Sequence, residues 1–233
     1  MPRTMNLDAI RSQIKDSSIL RRVLLVCGIL SSLLYVGTDI LGGMLYGDYD
    51  FTSQYISELG AIGAPSRSLV FPLYLIHDVL VIAFALGVWV AAGRKSSLHF
   101  TGGLLVAYAV VGAVGVLFFP MDPVGSEATF ANTVHQIIAA VTVLFILLML
   151  GFGARAFGRW FQLYSIGTIL VYLVLGILPF LGVAQVEAGQ PTPWVGVVER
   201  IMVYGYMLWV AVLAIVLLRA ETDQPQAMAS MPN

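Results

Sequence analysis

The chain of 233 residues is poor in charge, cysteine and histidine. Only 11% of its residues are Asp, Glu, Lys or Arg, less than half the roughly 25% of a soluble domain. A single cysteine, Cys27, excludes an internal disulfide, and no CxxC or clustered Cys/His set is present. Three histidines occur without HExxH or close His-x3-His spacing. No Lys/Arg-rich run or basic stripe exists, so nucleic acid is excluded as a partner.

What the chain has instead is length of apolar sequence. Hydrophobic residues make up 59%, and the mean hydropathy is +0.89. Six runs, near 20–46, 68–92, 97–119, 129–152, 159–183 and 194–218, each supply about 20 or more mostly apolar residues, enough to cross roughly 30 Å of hydrocarbon as a helix. The runs are continuous, without the alternation of barrel strands. The expected fold is all-α: a polytopic bundle of six transmembrane helices over 20–219, in the cell membrane and in contact with lipid. The first run is too long for a signal-peptide core and is read as a retained span. Pro72 and Pro179 fall near the ends of their runs, so no helix break is expected in mid-membrane.

The few charges are sorted. Arg3, Arg11, Lys15, Arg21 and Arg22 precede the first run, Arg94 and Lys95 follow the second, Arg155 and Arg159 join the fourth to the fifth, and Arg219 follows the sixth. The alternate loops hold Asp48, Asp50, Glu58, Asp122, Glu127 and Glu187, with Arg67 as their only base. The excess of Lys and Arg predicts both termini on the cytoplasmic side. Residues 1–19 then form a cytoplasmic amphipathic segment, with Leu7, Ile10 and Ile14 at helical spacing, or a frayed start to the first span. Residues 220–233 read as a disordered tail. In the first outer loop, Asp50 or Thr52 can cap and Gly60 can end a short interfacial helix. Tyr46, Tyr49 and Trp194 fit an aromatic belt at the outer boundary or pack inside the bundle. Gly43 and Gly47 form a GxxxG that would admit a neighbouring helix.

Asp39, His77, Asp78, His135, Glu199 and Arg200 lie on four different runs, yet all fall about 8–14 Å below the outer helix ends. Ionisable groups at that depth are costly facing lipid, so they are expected to face inward and pair. Asp122 sits at the mouth of the same layer, and Ser57 and Glu58 on the loop above it. Neighbours on a helix point about 100° apart, so Glu199 and Arg200, like His77 and Asp78, cannot both aim at one point. Arg200 is a counter-ion for Asp39 or Asp78.

Three readings of this layer stay open. It is a polar network that fixes helix packing. It is a pocket that binds or transports a small polar molecule or a lipid headgroup. Or it is a metal-assisted or acid–base enzyme site for a lipid or lipid-linked substrate, with His77, His135 and a carboxylate, Asp122, Asp78 or Glu199, as zinc ligands. Ser57 as a nucleophile with His77 or His135 as its base belongs to this last reading. Oligomeric state stays open.

Tyr49-Asp50 with Ser57-Glu58-Leu59-Gly60, Phe119-Pro120-Met121-Asp122-Pro123 followed by His135, and Glu199-Arg200 with Trp209 together resemble a prokaryotic membrane family, domain of unknown function 998. The resemblance implies a multi-helix membrane domain and brings no activity. A more distant likeness is to membrane hydrolases of the alkaline ceramidase and adiponectin-receptor type. For those, Ser57, Asp78, His77 and His135 stand in for part of the zinc site, but the last helix has no histidine and one span is missing. Zinc amidase activity is not adopted on that likeness.

Overall fold

The computed structural model describes residues 7–229, with side chains from 18 to 221. Among the described residues the chain is helical with no strand. The helices are α1 (Leu7–Leu45), α2 (Arg67–Ala91), α3 (Ser96–Phe118), α4 (Phe130–Gly153), α5 (Arg159–Leu175), α6 (Ile177–Glu187) and α7 (Val195–Ala229), with a turn of 3-10 helix at Ile56–Gly60. Six spans are long and apolar enough to cross a membrane, the fifth running from Arg159 to Glu187. The exterior fits that solvent. Leu33, Met44, Val79, Phe118, Leu173, Val174 and Leu181 all point outward, which suits lipid tails and would be a liability in water. The chain is a multi-pass integral membrane protein.

Successive helices α1 to α4 pack side by side, and α7 returns against α1. Lipid is as apolar as leucine, so such contacts rest on close packing and interhelical hydrogen bonds rather than on expulsion of water. Gly87 shows the first. A Cβ there would lie 3.1 Å from the backbone of Leu24 and Leu25, so α1 and α2 touch backbone to backbone. The hydrogen bonds concentrate on α7: Ser32 Oγ donates to Met207 O (2.8 Å), Tyr172 OH to Met202 O (3.0 Å) and Trp209 Nε1 to Ser165 Oγ (2.9 Å). Of the most apolar stretch of each span, 44% is buried in the sixth and 17% in the fifth. So α7 is the central post and α5–α6 the outermost element.

Four expectations are corrected. The fifth span is not continuous: it breaks at Gly176, between α5 and α6. Pro179 explains the place, because it has no N–H for the carbonyl of Leu175 and its ring collides with that carbonyl in a regular helix. The helix in the loop after α1 begins at Ile56 rather than near Asp50. The Asp50 carboxylate instead accepts from Thr52 N–H (2.9 Å) and the Thr52 and Ser53 hydroxyls, closing a turn of its own. Those bonds, that from Ser53 foremost, hold its carboxyl below the usual range. The GxxxG admits no helix. Gly43 lies under the Phe51 ring, and Gly47 turns the chain with φ +75°.

The fourth correction concerns the end of the last helix, which continues past 219 to Ala229. There Glu221 is ion-paired with Arg21 of α1, which holds the helix on course. Residues 230–233 and the side chains of 1–17 lie outside the described residues, and with them the facing of the expected amphipathic segment, whose backbone is helix from Leu7.

Candidate functional site

The charged layer resolves into two assemblies at the end of the bundle that carries the acidic loops. The first is a clamp built on Arg200. Its guanidinium meets the Asp39 carboxylate side-on, Nε to Oδ2 at 2.9 Å and Nη2 to Oδ1 at 2.8 Å. Nη2 also donates to Tyr49 OH (2.6 Å), and Nη1 to the carbonyls of Phe51 (2.8 Å), Gln54 (3.1 Å) and Gly196 (3.2 Å). The Phe51 ring stacks on it at 4.9 Å. Tyr204, one turn on, donates its hydroxyl to Asp39. This buried pair has its remaining donors satisfied, as such a pair must to offset its desolvation.

Glu199 holds the same loop by its opposite polarity. Its Oε2 accepts the Ile56 N–H at 2.6 Å, while Glu58 accepts the Tyr55 N–H (2.8 Å) and the Gln54 amide (2.7 Å). Burial pushes the Glu58 carboxyl above its usual range, opposed by those two bonds. Adjacent residues on α7 therefore do different work because they point in different directions: Arg200 takes the carbonyls of the loop, and Glu199 takes an amide. Tyr49 is buried in the clamp rather than lying in an aromatic belt, and burial pushes its phenol up, so it stays neutral and donates to Tyr55 O at 2.8 Å.

The second assembly is a cavity of about 330 Å³ beneath that loop, walled mainly by α2, α3, α4, α6 and α7, with Tyr35 of α1 and Tyr172 of α5 completing the lining. Ser57, His77, Asp78, His135 and Glu199 line it; Asp39, Glu58, Asp122 and Arg200 do not. Most of the wall is apolar. His77 donates from Nδ1 to Ser31 O (3.1 Å), since a carbonyl can only accept, and its buried Nε2 has no protein partner among the described residues. The Tyr74 hydroxyl is likewise buried without a partner. Among the described residues Asp78 has no hydrogen bond or ion pair; its Oδ1 lies against Gly112, 3.3 Å from where a Cβ would stand. His135 donates from Nδ1 to Phe119 O at 2.9 Å.

Sequence reasoning missed the tyrosines of this cavity. Tyr35 and Tyr74 meet at a tilt with ring centroids 5.4 Å apart, Tyr35 meets His77 edge-on at 5.1 Å, and Tyr108 meets Tyr206 at 5.4 Å. A signal existed, because Tyr74 and His77 stand at i, i+3 on one face of their helix. It also missed Glu187, whose Oε1 accepts the amides of Gln136 (2.9 Å) and Asn132 (3.2 Å). That carboxylate bridges α4 and α6.

The zinc set does not assemble. Asp122 accepts from Thr129 N–H (2.7 Å) and Thr129 OH (3.1 Å), closing the start of α4 away from the cavity. Among the described residues no group of three or more His, Cys, Asp or Glu could hold a metal ion. Ser57 donates to Met121 Sδ (3.4 Å), not to a histidine.

No curated protein and no solved structure matches the chain. The family described as protein of unknown function (DUF998) matches residues 29–216, a stretch that holds Asp39, the clamp, the cavity and Trp209. The chain belongs to that family.

Proposed function

We propose that this protein binds a small polar molecule or a lipid headgroup in its intramembrane cavity. One observation carries the reading: the Asp78 carboxylate, His77 Nε2 and Tyr74 OH line or abut an apolar-walled space without protein partners among the described residues. Polar groups buried in that state cost free energy unless something completes them. The volume falls at the lower end of small-molecule sites, about 300–1,000 Å³. The test is native mass spectrometry of protein released from bilayer nanodiscs, wild type against Ala139→Phe, which puts a ring into the cavity from α4. A bound species in the wild type that the variant loses supports the reading. An empty wild type, or equal occupancy of both, sinks it.

The acidic-loop end of the cavity is assigned to the non-cytoplasmic face of the cell membrane, with both termini inside and the 56–60 helix at the interface. The distribution of Lys and Arg supports this. In a Cys27→Ser background, Ala128→Cys is expected to react with an impermeant maleimide on intact cells, and Ser96→Cys only after permeabilisation. The reverse pattern would invert the protein.

Transport rather than retention is favoured by the helix break at Gly176 beside the cavity, since discontinuous helices accompany moving sites. Proteoliposome flux of the ligand found in the first test, blocked by Ala139→Phe, distinguishes the two.

A further inference from the structure

We infer that the group recognised in this cavity is an organic ammonium. The inference rests on the cavity being a binding site and adds the chemistry of what fits. The open polar positions deep in it are acceptors or neutral hydroxyls. The Asp78 carboxylate lines the cavity and makes no bond to protein among the described residues. Among the described residues Glu199 has Oε2 on the Ile56 N–H and no hydrogen bond on Oε1. His77 and His135 each have Nδ1–H fixed on a backbone carbonyl, which leaves Nε2 to present its lone pair.

Among the described residues no Lys or Arg is ion-paired with these carboxyls. Arg200 is outside the lining, with its three nitrogens in the clamp. Arg67 lines the mouth, where it donates to Gly60 O and stands over Phe71 at 5.6 Å. An anion would meet the carboxyls of Asp78, Glu187 and Glu199, and a neutral ligand would leave Asp78 either uncompensated in an apolar wall or protonated. An ammonium compensates the carboxylate, and the tyrosine rings of Tyr35, Tyr74 and Tyr108 offer it π faces. Gly112, which leaves space for the Asp78 carboxylate, fits the same purpose.

An ammonium can come from a free amine or from a lipid headgroup. The full chain in phosphatidylglycerol nanodiscs, which contain no amine, is titrated calorimetrically with choline and ethylammonium. Their neutral counterparts, 3,3-dimethylbutan-1-ol and ethanol, and acetate are run alongside. A second set of nanodiscs containing phosphatidylethanolamine tests the lipid source: suppression of free-amine binding there identifies the headgroup as the occupant, and unchanged binding identifies the free amine.

Saturable binding of at least one cation, without its neutral counterpart, is expected. Asp78→Asn keeps the shape and removes the charge, and should weaken that binding by about tenfold or more. Tyr108→Leu keeps the charge and removes a ring, and should weaken it several-fold; it serves where Asp78→Asn does not fold. Equal binding of the neutral counterparts, preference for acetate, or no binding of either cation overturns the ammonium assignment. Cation binding that persists in Ala139→Phe lies elsewhere, and that failure belongs to the cavity reading itself.

Discussion

Arg200→Leu is expected to destabilise the protein by about 3–5 kcal/mol, the usual consequence of removing one partner of a buried ion pair. The Asp39 carboxylate is fully buried, and without the guanidinium it keeps only the Tyr204 hydroxyl. The carbonyls of Phe51 and Gln54 lose their donor at the same moment, so the loop over the cavity should open to protease before the bundle unfolds. Equilibrium unfolding in mixed micelles measures the first effect and limited proteolysis the second. The double variant Asp39→Leu with Arg200→Leu should lose less than the sum of the two single changes, because neither charge is then left alone. A loss below about 1 kcal/mol for Arg200→Leu, the size expected of an exposed pair, would mean that the arginine does not hold α1, α7 and the loop together.

The second large effect is expected at Trp209→Ala, again about 3–5 kcal/mol by the same unfolding measurement. Trp209 is fully buried on the central helix. It donates to Ser165 on α5, and its ring sits 2.6 Å from where a Cβ on Gly153 of α4 would stand. One side chain thus joins three helices. That geometry gives a change of sign: Gly153→Ala should destabilise the wild type, whose ring occupies the space, and stabilise the Trp209→Ala variant, whose cavity it begins to fill. Gly153→Ala with the same sign in both backgrounds would contradict the packing.

The spans were legible because each is a long uncharged run, and their ends in the sequence fall within a few residues of the helix ends, except at the start of the first helix and the end of the last. The ionisable residues inside them were legible for the same reason: a carboxylate or guanidinium stands out in an apolar run. Depth along the axis follows from counting residues, but the direction around the axis does not. That is why Arg200 could be assigned to Asp39 or Asp78, and why the structure was needed to pair it with Asp39 and leave Asp78 in the cavity. Tyrosines merged into the apolar background because their rings are hydrophobic and only their hydroxyls are polar. The break at Gly176 was hidden because Pro179 lies in an apolar run near its end, and the missing bond belongs to Leu175, four residues earlier. Glu187 read as a loop acid because its amide partners sit on another helix.

The central claim is that the cavity beside Asp78 holds a ligand. The most direct measurement is a density map of the protein in lipid nanodiscs, at a resolution that separates side chains. The account predicts density in the cavity that no residue of the chain explains, within hydrogen-bonding distance of the Asp78 carboxylate and His77 Nε2. A cavity closed by repacked side chains, with Asp78 bonded to protein instead, would contradict it and leave a purely structural polar network.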